Sequence, residues 1–417
     1  MKFEELKIDH DILKVINEMK FEEPTEIQEK AIPLIRNNFD VIGESATGSG
    51  KTLVFSIQIV EQNIKSEGVQ SLVLVPTREL CEQISKEIKK FSKYKGLTVA
   101  SIHGGVSYEP QNDILEKAEI VVGTPGRILD HIRRGSFETH KIKVFVIDEV
   151  DRMLDMGFIR DVTEIERNIS PKRQTLLFSA TVDSDIEYLA RKFMKNPKIV
   201  SVENYVDPSL LKQYYYKASN GNKFSLLVHL LRNDKTDLVM VFCNTRRNVD
   251  FLSRNLRKQG IDAHPMHGGL TQSRRNKIID MFRSKEVKIL IASDVAARGL
   301  DIKNISHVYN YDMPKTEDEY IHRIGRTARA GNEGQAISII SERDYDNFYR
   351  ITRDENISMQ RLEAPNFERI NFIVYKQDRQ FGNKQWRNRR YEDKPHHPRR
   401  FSFRAINSSR VKFKNSK

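Results

Sequence analysis

The chain repeats itself. LVLVPTREL at residues 72–80 returns as LVMVFCNTRRNV at 238–249, and HGG at 103–105 returns as HGG at 267–269. EIVVGTPGRILD at 119–130 returns as KILIASDVAARGLD at 288–301. His103 to His267 and Thr124 to Ser293 set the offset near 164–169 residues. One echo is within reach of chance; three in the same order at one offset indicate two copies of one folding unit.

Each copy alternates short apolar runs with amphipathic stretches. Residues 71–75, 120–122 and 144–147 read as buried strands in the first copy, and 238–242, 288–292 and 336–340 in the second; 78–90 and 246–259 read as helices. Continuous apolar strands separated by helices imply a parallel sheet covered on both faces, an α/β fold. The reading places one domain at 1–203 and a second at 213–363. The link at 204–212 carries the turn-like Asp207-Pro208-Ser209. Residues 364–417 lose the periodicity and read as a disordered tail.

Hydrophobic residues at 38% and charged ones at 30% suit a globular protein of this kind. No apolar run approaches the roughly 18 residues of a spanning helix. The N-terminus, MKFEELKIDHDILKVINEMK, is acidic and amphipathic rather than signal-like. Cys81 and Cys243 are too few for a disulfide framework or a zinc site. These features point to the cytoplasm and away from a membrane. The net charge of +13 is concentrated at the end: residues 377–417 hold 13 Lys and Arg against 3 Asp and Glu. Such asymmetry points to an anionic polymer as partner.

SATGSGKT (45–52) follows the apolar run 39–42 and precedes the helix-like LVFSIQIV. A strand, a Gly-rich turn and a helix form a phosphate cradle: backbone N–H groups and the helix N-terminus face the anion. Ser45, Ala46, Thr47, Gly48, Ser49 and Gly50 would wrap the phosphates, Lys51 would reach the β and γ phosphates, and Thr52 would ligate Mg²⁺. Taken alone, GSGKT could be a flexible turn. VFVIDEVD (144–151) strengthens the first reading, because it sets Asp148 and Glu149 at a strand's C-terminal end, where parallel sheets bind ligands. Asp148 would hold Mg²⁺ and Glu149 would orient or deprotonate the attacking water. The second copy has no Gly-Lys-Thr. It carries HRIGRTAR (322–329), whose arginines suit a leaving γ-phosphate but equally a structural ion-pair cluster or an RNA-binding patch.

Together these motifs resemble the DEAD-box RNA helicases of superfamily 2. The resemblance spans about residues 3–345: EPTEIQ (23–28) at the Q motif, SATGSGKT, PTREL (76–80), Gly104-Gly105, TPGR (124–127), DEVD (148–151), SAT (179–181), VFCNT (241–245), Gln272 with Arg275, SDVAARGLD (293–301) and HRIGRTAR. It implies two RecA-like domains that bind Mg-ATP between them and clamp RNA. By the resemblance, Gln28 reads the adenine edge, Phe21 stacks on the base and Asp301 contacts the ribose. Arg326 and Arg329 are arginine fingers. Ser179, Thr181, Arg298 and His322 couple closure to hydrolysis. Arg78, Gly105, Thr124, Arg127, Thr245, Gly269, Gln272, Arg275 and Ser293 line an RNA path of mainly backbone contacts, which carry little sequence information. The chain departs from the family pattern at Val150 (Ala is usual), Ser293 (Thr), Cys81 (Ala) and Lys20 (Gly).

The expected activity is therefore RNA-dependent ATP hydrolysis with local separation of short duplexes, by a monomer that meets ribonucleoprotein partners. A DNA helicase on the same fold and a non-enzymatic RNA clamp are the rivals. In the tail, Phe381, Trp386, Tyr391, Phe401, Phe403 and Phe413 lie among the basic residues, a composition suited to stacking on unpaired bases.

Overall fold

The computed structural model describes residues 1–45, 48–202, 210–297, 302, 305–328, 332–354 and 357–371. Most of the expected link (204–209 of 204–212) and the tail from 372 lie outside the described residues, as do Ala46, Thr47, Arg298, Asp301 and Arg329.

Seven strands form the sheet of the first half: β1 (Val41–Glu44), β2 (Ser71–Leu74), β3 (Val99–Ile102), β4 (Ile120–Gly123), β5 (Val144–Ile147), β6 (Gln174–Ser179) and β7 (Lys198–Ser201). Seven form the second: β8 (Leu211–Lys217), β9 (Leu238–Cys243), β10 (Ala263–Met266), β11 (Ile289–Ser293), β12 (Ile305–Asn310), β13 (Gly334–Ile340) and β14 (Gln360–Leu362). Their spatial orders are β3-β4-β2-β5-β6-β1-β7 and β10-β11-β9-β12-β13-β8-β14. Adding seven to each strand of the first order gives the second, so the repeat seen in the sequence is a repeat of topology. Pairing within both sheets is parallel, β1 with β6 and β8 with β13 being examples.

The central strands are apolar because both faces are covered. Val73, Val144, Val146, Leu176 and Phe178 face one core of the first sheet, while Leu72, Leu74, Phe145, Ile147 and Leu177 face the other. Val239, Val241 and Ile291 are likewise separated from Met240, Phe242 and Leu290 in the second. This is the period-two alternation of a strand, with both sides buried.

Two boundaries move. β8 begins at Leu211, inside the stretch read as linker. Residues 364–371, read as the start of the tail, have no regular element, yet Phe367 and Ile370 pack against the second-half core and the Ile370 N–H donates to Ser225 Oγ (3.0 Å). The packed chain thus runs to at least Ile370.

Before β1 the first half carries a segment without counterpart in the second, including helices His10–Glu18 and Glu26–Arg36. The helix His10–Glu18 ends with Lys20 left-handed at φ 57°. The Lys20 N–H donates to Asn17 O (3.0 Å) and the Phe21 N–H to Ile16 O (3.2 Å). That is the paired bonding of a glycine-type helix stop. Lys20 keeps the backbone a glycine would adopt, with its Cβ crowded.

Candidate functional site

The motifs cluster because of where the strands end. β1 leads into the Gly-rich turn of SATGSGKT, β2 into Thr77 and Arg78, β3 into His103-Gly104-Gly105, β4 into Thr124, β5 into Asp148-Glu149, and β6 ends on Ser179. β9 leads into Thr245, β10 into His267-Gly268-Gly269, and β11 ends on Ser293. All lie at C-terminal strand ends, where parallel sheets form their crevices.

In the turn after β1, Gly48 and Gly50 sit at φ 90° and 96°, a region that favours glycine. Gly50 caps the helix Lys51–Gln62. Lys51 is buried and its Nζ donates to Ser45 O (2.7 Å). Ser45, at the position where such turns begin with glycine, is buried too; its N–H donates to Ser179 O (3.0 Å) and its hydroxyl meets that of Ser49 (2.9 Å). The turn is therefore tied to β6.

A second clamp comes from the helix Glu26–Arg36. Gln28 Oε1 accepts from the Thr25 N–H (2.9 Å), one arm of a capping box, while Gln28 Nε2 donates to Gly50 O (3.0 Å) and Thr25 Oγ1 to Ser49 O (2.7 Å). A Cβ on Gly50 would collide with Gln28 Nε2. Gln28 thus caps its helix and holds the phosphate turn at once. Phe21 is exposed on the surface.

Asp148 and Glu149 are both buried. The Asp148 N–H donates to Leu74 O (3.0 Å), which fixes it at the end of β5. Glu149 is left-handed at φ 56°, a strained conformation for a side chain of this size and typical of functional turns. Its N–H donates to Asp148 Oδ1 (3.0 Å), and its Oε2 accepts from Arg152 Nη1 (2.5 Å), an arginine only 2% exposed. Burial pushes the Asp148 carboxyl up to about 7; Lys51 pulls it down, and Glu149 pushes it up again. Among the described residues no cluster of three His, Cys, Asp or Glu could hold a metal by itself. Asp148 with the Thr52 hydroxyl is a hard-oxygen donor set in an acidic site, and it suits a Mg²⁺ ion that takes its other ligands from phosphate and water.

Facing these groups is the helix Glu317–Ile324 of the second half. His322 Nε2 lies 3.9 Å from Asp151 Oδ2. Arg326 is buried, with its Nε donating to His322 O (3.3 Å). Ser179 Oγ and Asp151 Oδ1 are buried without a hydrogen-bond partner among the described residues. Thr181 is exposed. The arginines of HRIGRTAR divide: Arg323 is an internal hub, bonded to both Asp294 oxygens (2.6 and 2.7 Å), Asn244 Oδ1 (2.7 Å) and Asp312 O (2.6 Å). The ion-pair reading therefore holds for Arg323.

Along the other side of the crevice the two halves match residue for residue. Thr77 and Thr245 cap the helices Arg78–Phe91 and Arg246–Lys258. A Cβ on Gly104 would lie 3.0 Å from Arg78 Nη2, and one on Gly268 3.0 Å from Arg246 Nη2. His103 pairs with Glu82 (3.4 Å) and His267 with Asp250 (3.1 Å). Motif reading singles out Arg78 and passes over Arg246 and both carboxylates, although the repeat itself holds the signal. Thr124 starts the helix Pro125–Arg133 without a side-chain cap bond, and Arg127 Nη1 donates to Val106 O (2.9 Å). Gln272 and Arg275, expected on the RNA path, reach across to Glu79 Oε1 (2.7 and 3.0 Å), while Asn276 Nδ2 donates to Glu82 Oε2 (2.9 Å). These bonds join the halves.

Comparison with known proteins agrees with this architecture. Residues 25–189 match the family described as DEAD/DEAH box helicase, and 222–331 match the helicase conserved C-terminal domain. A DEAD-box ATP-dependent RNA helicase CshA of Geobacillus kaustophilus is 42% identical over 369 residues, 88% of this chain and 79% of that protein. The ATP-dependent RNA helicase CshA of Listeria monocytogenes is 42% identical over 370 residues, 88% and 71% of the two chains. Among solved structures, S. cerevisiae Dbp5 bound to RNA and ADP BeF3 aligns with TM-score 0.80 at 33% identity, covering 87% of this chain and 96% of that one. Mss116p bound to ssRNA and AMP-PNP aligns with TM-score 0.77 at 29% identity, covering 87% and 79%.

Proposed function

The chain belongs to the DEAD/DEAH box helicase family, and from that premise we propose how its two halves divide the work. It is an ATP-dependent RNA helicase, and its two parallel sheets are tandem RecA-like domains. In the proposed cycle the first half holds ATP: the turn from Ser45 to Thr52 wraps the phosphates, Lys51 neutralises them, and Gln28 passes from the Gly50 carbonyl to the adenine edge, beside Phe21. Thr52 and Asp148 hold Mg²⁺, which when bound offsets phosphate charge. Glu149 orients the attacking water and takes its proton. Arg326 and Arg329 of the second half stabilise charge on the γ-phosphate, and Asp301 contacts the ribose. Ser179, Thr181, Arg298 and His322 report closure to the RNA side.

The single observation that carries this reading is the approach of His322 and Asp151 across the crevice (3.9 Å), beside the buried acids of one half and the buried Arg326 of the other. Closure also sets Arg78, Gly105, Thr124 and Arg127 opposite Thr245, Gly269, Gln272, Arg275 and Ser293, a continuous path for one strand. A duplex must give up its A-form to follow that path, and loss of the γ-phosphate contact reopens the clamp. The protein acts as a cytoplasmic monomer in this proposal, among ribonucleoproteins, with the basic tail as a sequence-tolerant RNA anchor. Removing residues 377–417 should then flatten the salt dependence of RNA affinity by about 0.7 for each phosphate the tail neutralises.

Steady-state ATP hydrolysis with RNA and with DNA tests the central claim. Strong activation by RNA and weak activation by DNA is the expected result. Equal activation by both would favour a DNA helicase, and no hydrolysis with either would leave an RNA clamp.

A further inference from the structure

One arginine beside the RNA path has a fixed position and no acidic partner among the described residues. Tyr108 stands three residues after Gly105, and its hydroxyl donates to Asp130 Oδ2 (2.9 Å), which anchors the ring on the helix Pro125–Arg133. Two guanidinium groups rest against that ring, Arg127 with its Cζ 4.2 Å and Arg134 with its Cζ 4.0 Å from the centroid. Arg127 and Arg134 are seven residues apart, about two helical turns, and so share a face. Stacking on an aromatic face fixes the plane of a guanidinium without using its N–H donors.

The neighbours show how unusual this is. Arg133 is paired with an acid, its Nε and Nη2 making three hydrogen bonds of 2.9–3.1 Å to Glu164. Arg127 gives Nη1 to Val106 O. The Arg134 guanidinium is exposed and has neither an acidic nor a hydrogen-bonding partner among the described residues. Two guanidinium groups rest on one ring whose hydroxyl is bonded to a single carboxylate, Asp130, so the cluster keeps a net positive charge that a further anion beside it would offset. The loop from Gly105 to Ser107 is exposed, with Val106 40% accessible, so the approach is open. The two guanidinium carbons lie no farther apart than their two distances to the centroid combined, a span that adjacent phosphates of one strand can match.

We propose that Arg134, held on Tyr108 beside Arg127, contacts the RNA backbone and extends the bound strand by one phosphate beyond the Gly105–Arg127 contacts. The inference rests on the RNA-clamp reading above. Because the contact is to phosphate, it is blind to sequence.

The test is equilibrium binding of the full chain to labelled oligouridylates of about 6 to 20 nucleotides, with a non-hydrolysable ATP analogue, at several salt concentrations. Arg134→Ala should bind the longer oligomers roughly three- to tenfold more weakly and reduce the slope of log K against log salt by about 0.7. The loss should shrink for oligomers too short to reach Arg134. Tyr108→Phe keeps the ring but loses its anchor to Asp130, and should show a loss smaller than that of Tyr108→Ala. Tyr108→Ala should reproduce most of the Arg134→Ala loss, and the double variant should add little to it. Arg133→Ala, which breaks only the bond to Glu164, should leave the slope unchanged. Arg134→Gln serves as a second variant if alanine lowers the melting temperature. Wild-type affinity and slope in both Arg134 variants would overturn the proposal while leaving the clamp intact. Failure of the wild-type chain to bind RNA at all would bring down the clamp reading and this inference with it.

Discussion

The two halves of this molecule share a strand order and have put it to different uses. Register makes the comparison position by position. The Asp148 N–H donates to Leu74 O in the first half, and the Tyr311 N–H donates to Phe242 O in the second (3.0 and 3.1 Å). Tyr311 therefore stands where Asp148 does, and Asp312 where Glu149 does. Asp312 is not offered to the crevice: its Oδ2 accepts from the Asn244 N–H and Asn248 Nδ2 (3.0 and 2.9 Å). Lys51 opens the helix after β1, and Lys223 opens the helix after β8. Lys51 Nζ donates to the neutral Ser45 carbonyl, whereas Lys223 Nζ is bonded to Asp344 Oδ2 (2.8 Å), with side chains 3% and 9% exposed. The second half meets its lysine at this position with a carboxylate of its own. A buried lysine needs an anion: in the second half that anion is part of the fold, and in the first we propose that bound phosphate supplies it.

If the site is split between unlike halves, the largest effects should come from both sides of the crevice. Arg326→Ala, in the half without a phosphate turn, should lower kcat by about 10³–10⁵. Glu149→Gln should retain ATP and RNA binding yet lose nearly all turnover. Single-turnover hydrolysis with saturating RNA measures both, and near-normal rates in either variant would end the split-site account.

Next in size is a direct test of the two lysines. Asp344→Asn or Lys223→Ala should lower unfolding free energy by about 3–5 kcal/mol, the cost of leaving one buried charge unpaired. Lys51→Ala should cripple nucleotide binding and leave the denaturation midpoint close to wild type. Reversed outcomes, with Lys51 structural and Lys223 dispensable, would dissolve the comparison. The pH dependence has a definite sign. Burial alone would raise the Asp344 carboxyl, but Lys223 and Ser341 bring it below its ordinary value. A depressed carboxyl contributes stability above the unfolded value of about 3.9 and loses it as pH falls through the folded one. The gap between wild type and Asp344→Asn should thus be full at neutral pH and close in acid.

Smaller effects probe the N-terminal segment that only the first half possesses. Gln28→Ala should cost about 1–3 kcal/mol of discrimination between ATP and GTP, because a carboxamide matches the donor and acceptor of adenine and not the two acceptors of guanine. The ratio of the two kcat/KM values reads this directly, and an unchanged ratio would leave Gln28 as a helix cap and turn clamp alone. Smallest of all, Lys20→Gly should stabilise the chain by about 1 kcal/mol by removing a crowded left-handed Cβ. A lower melting temperature would mean that the lysine makes a contact worth more than its strain.

The sequence determined much of this. Central strands were legible because burial on both faces demands unbroken apolar runs: 71–75 became β2, 238–242 became β9 and 336–340 became β13, with ends shifted by two residues at most. Two outer strands were not legible. β7, at the edge of its sheet, has one buried residue in four, and β8, LKQYYYK, next to the edge strand β14, is mostly half-exposed, so neither has a strong apolar signature. The positions of the Gly-rich turn after β1 and of the Asp148-Glu149 pair after β5 could be read because each motif lies within a few consecutive residues. Only tertiary structure could pair Lys223 with Asp344, 121 residues away, or set Glu79 of one half against Gln272 and Arg275 of the other. Local composition records which charges a chain possesses. Which of them face each other in low dielectric depends on the packing of distant segments, and that is why two halves alike in strand order pair their buried lysines differently.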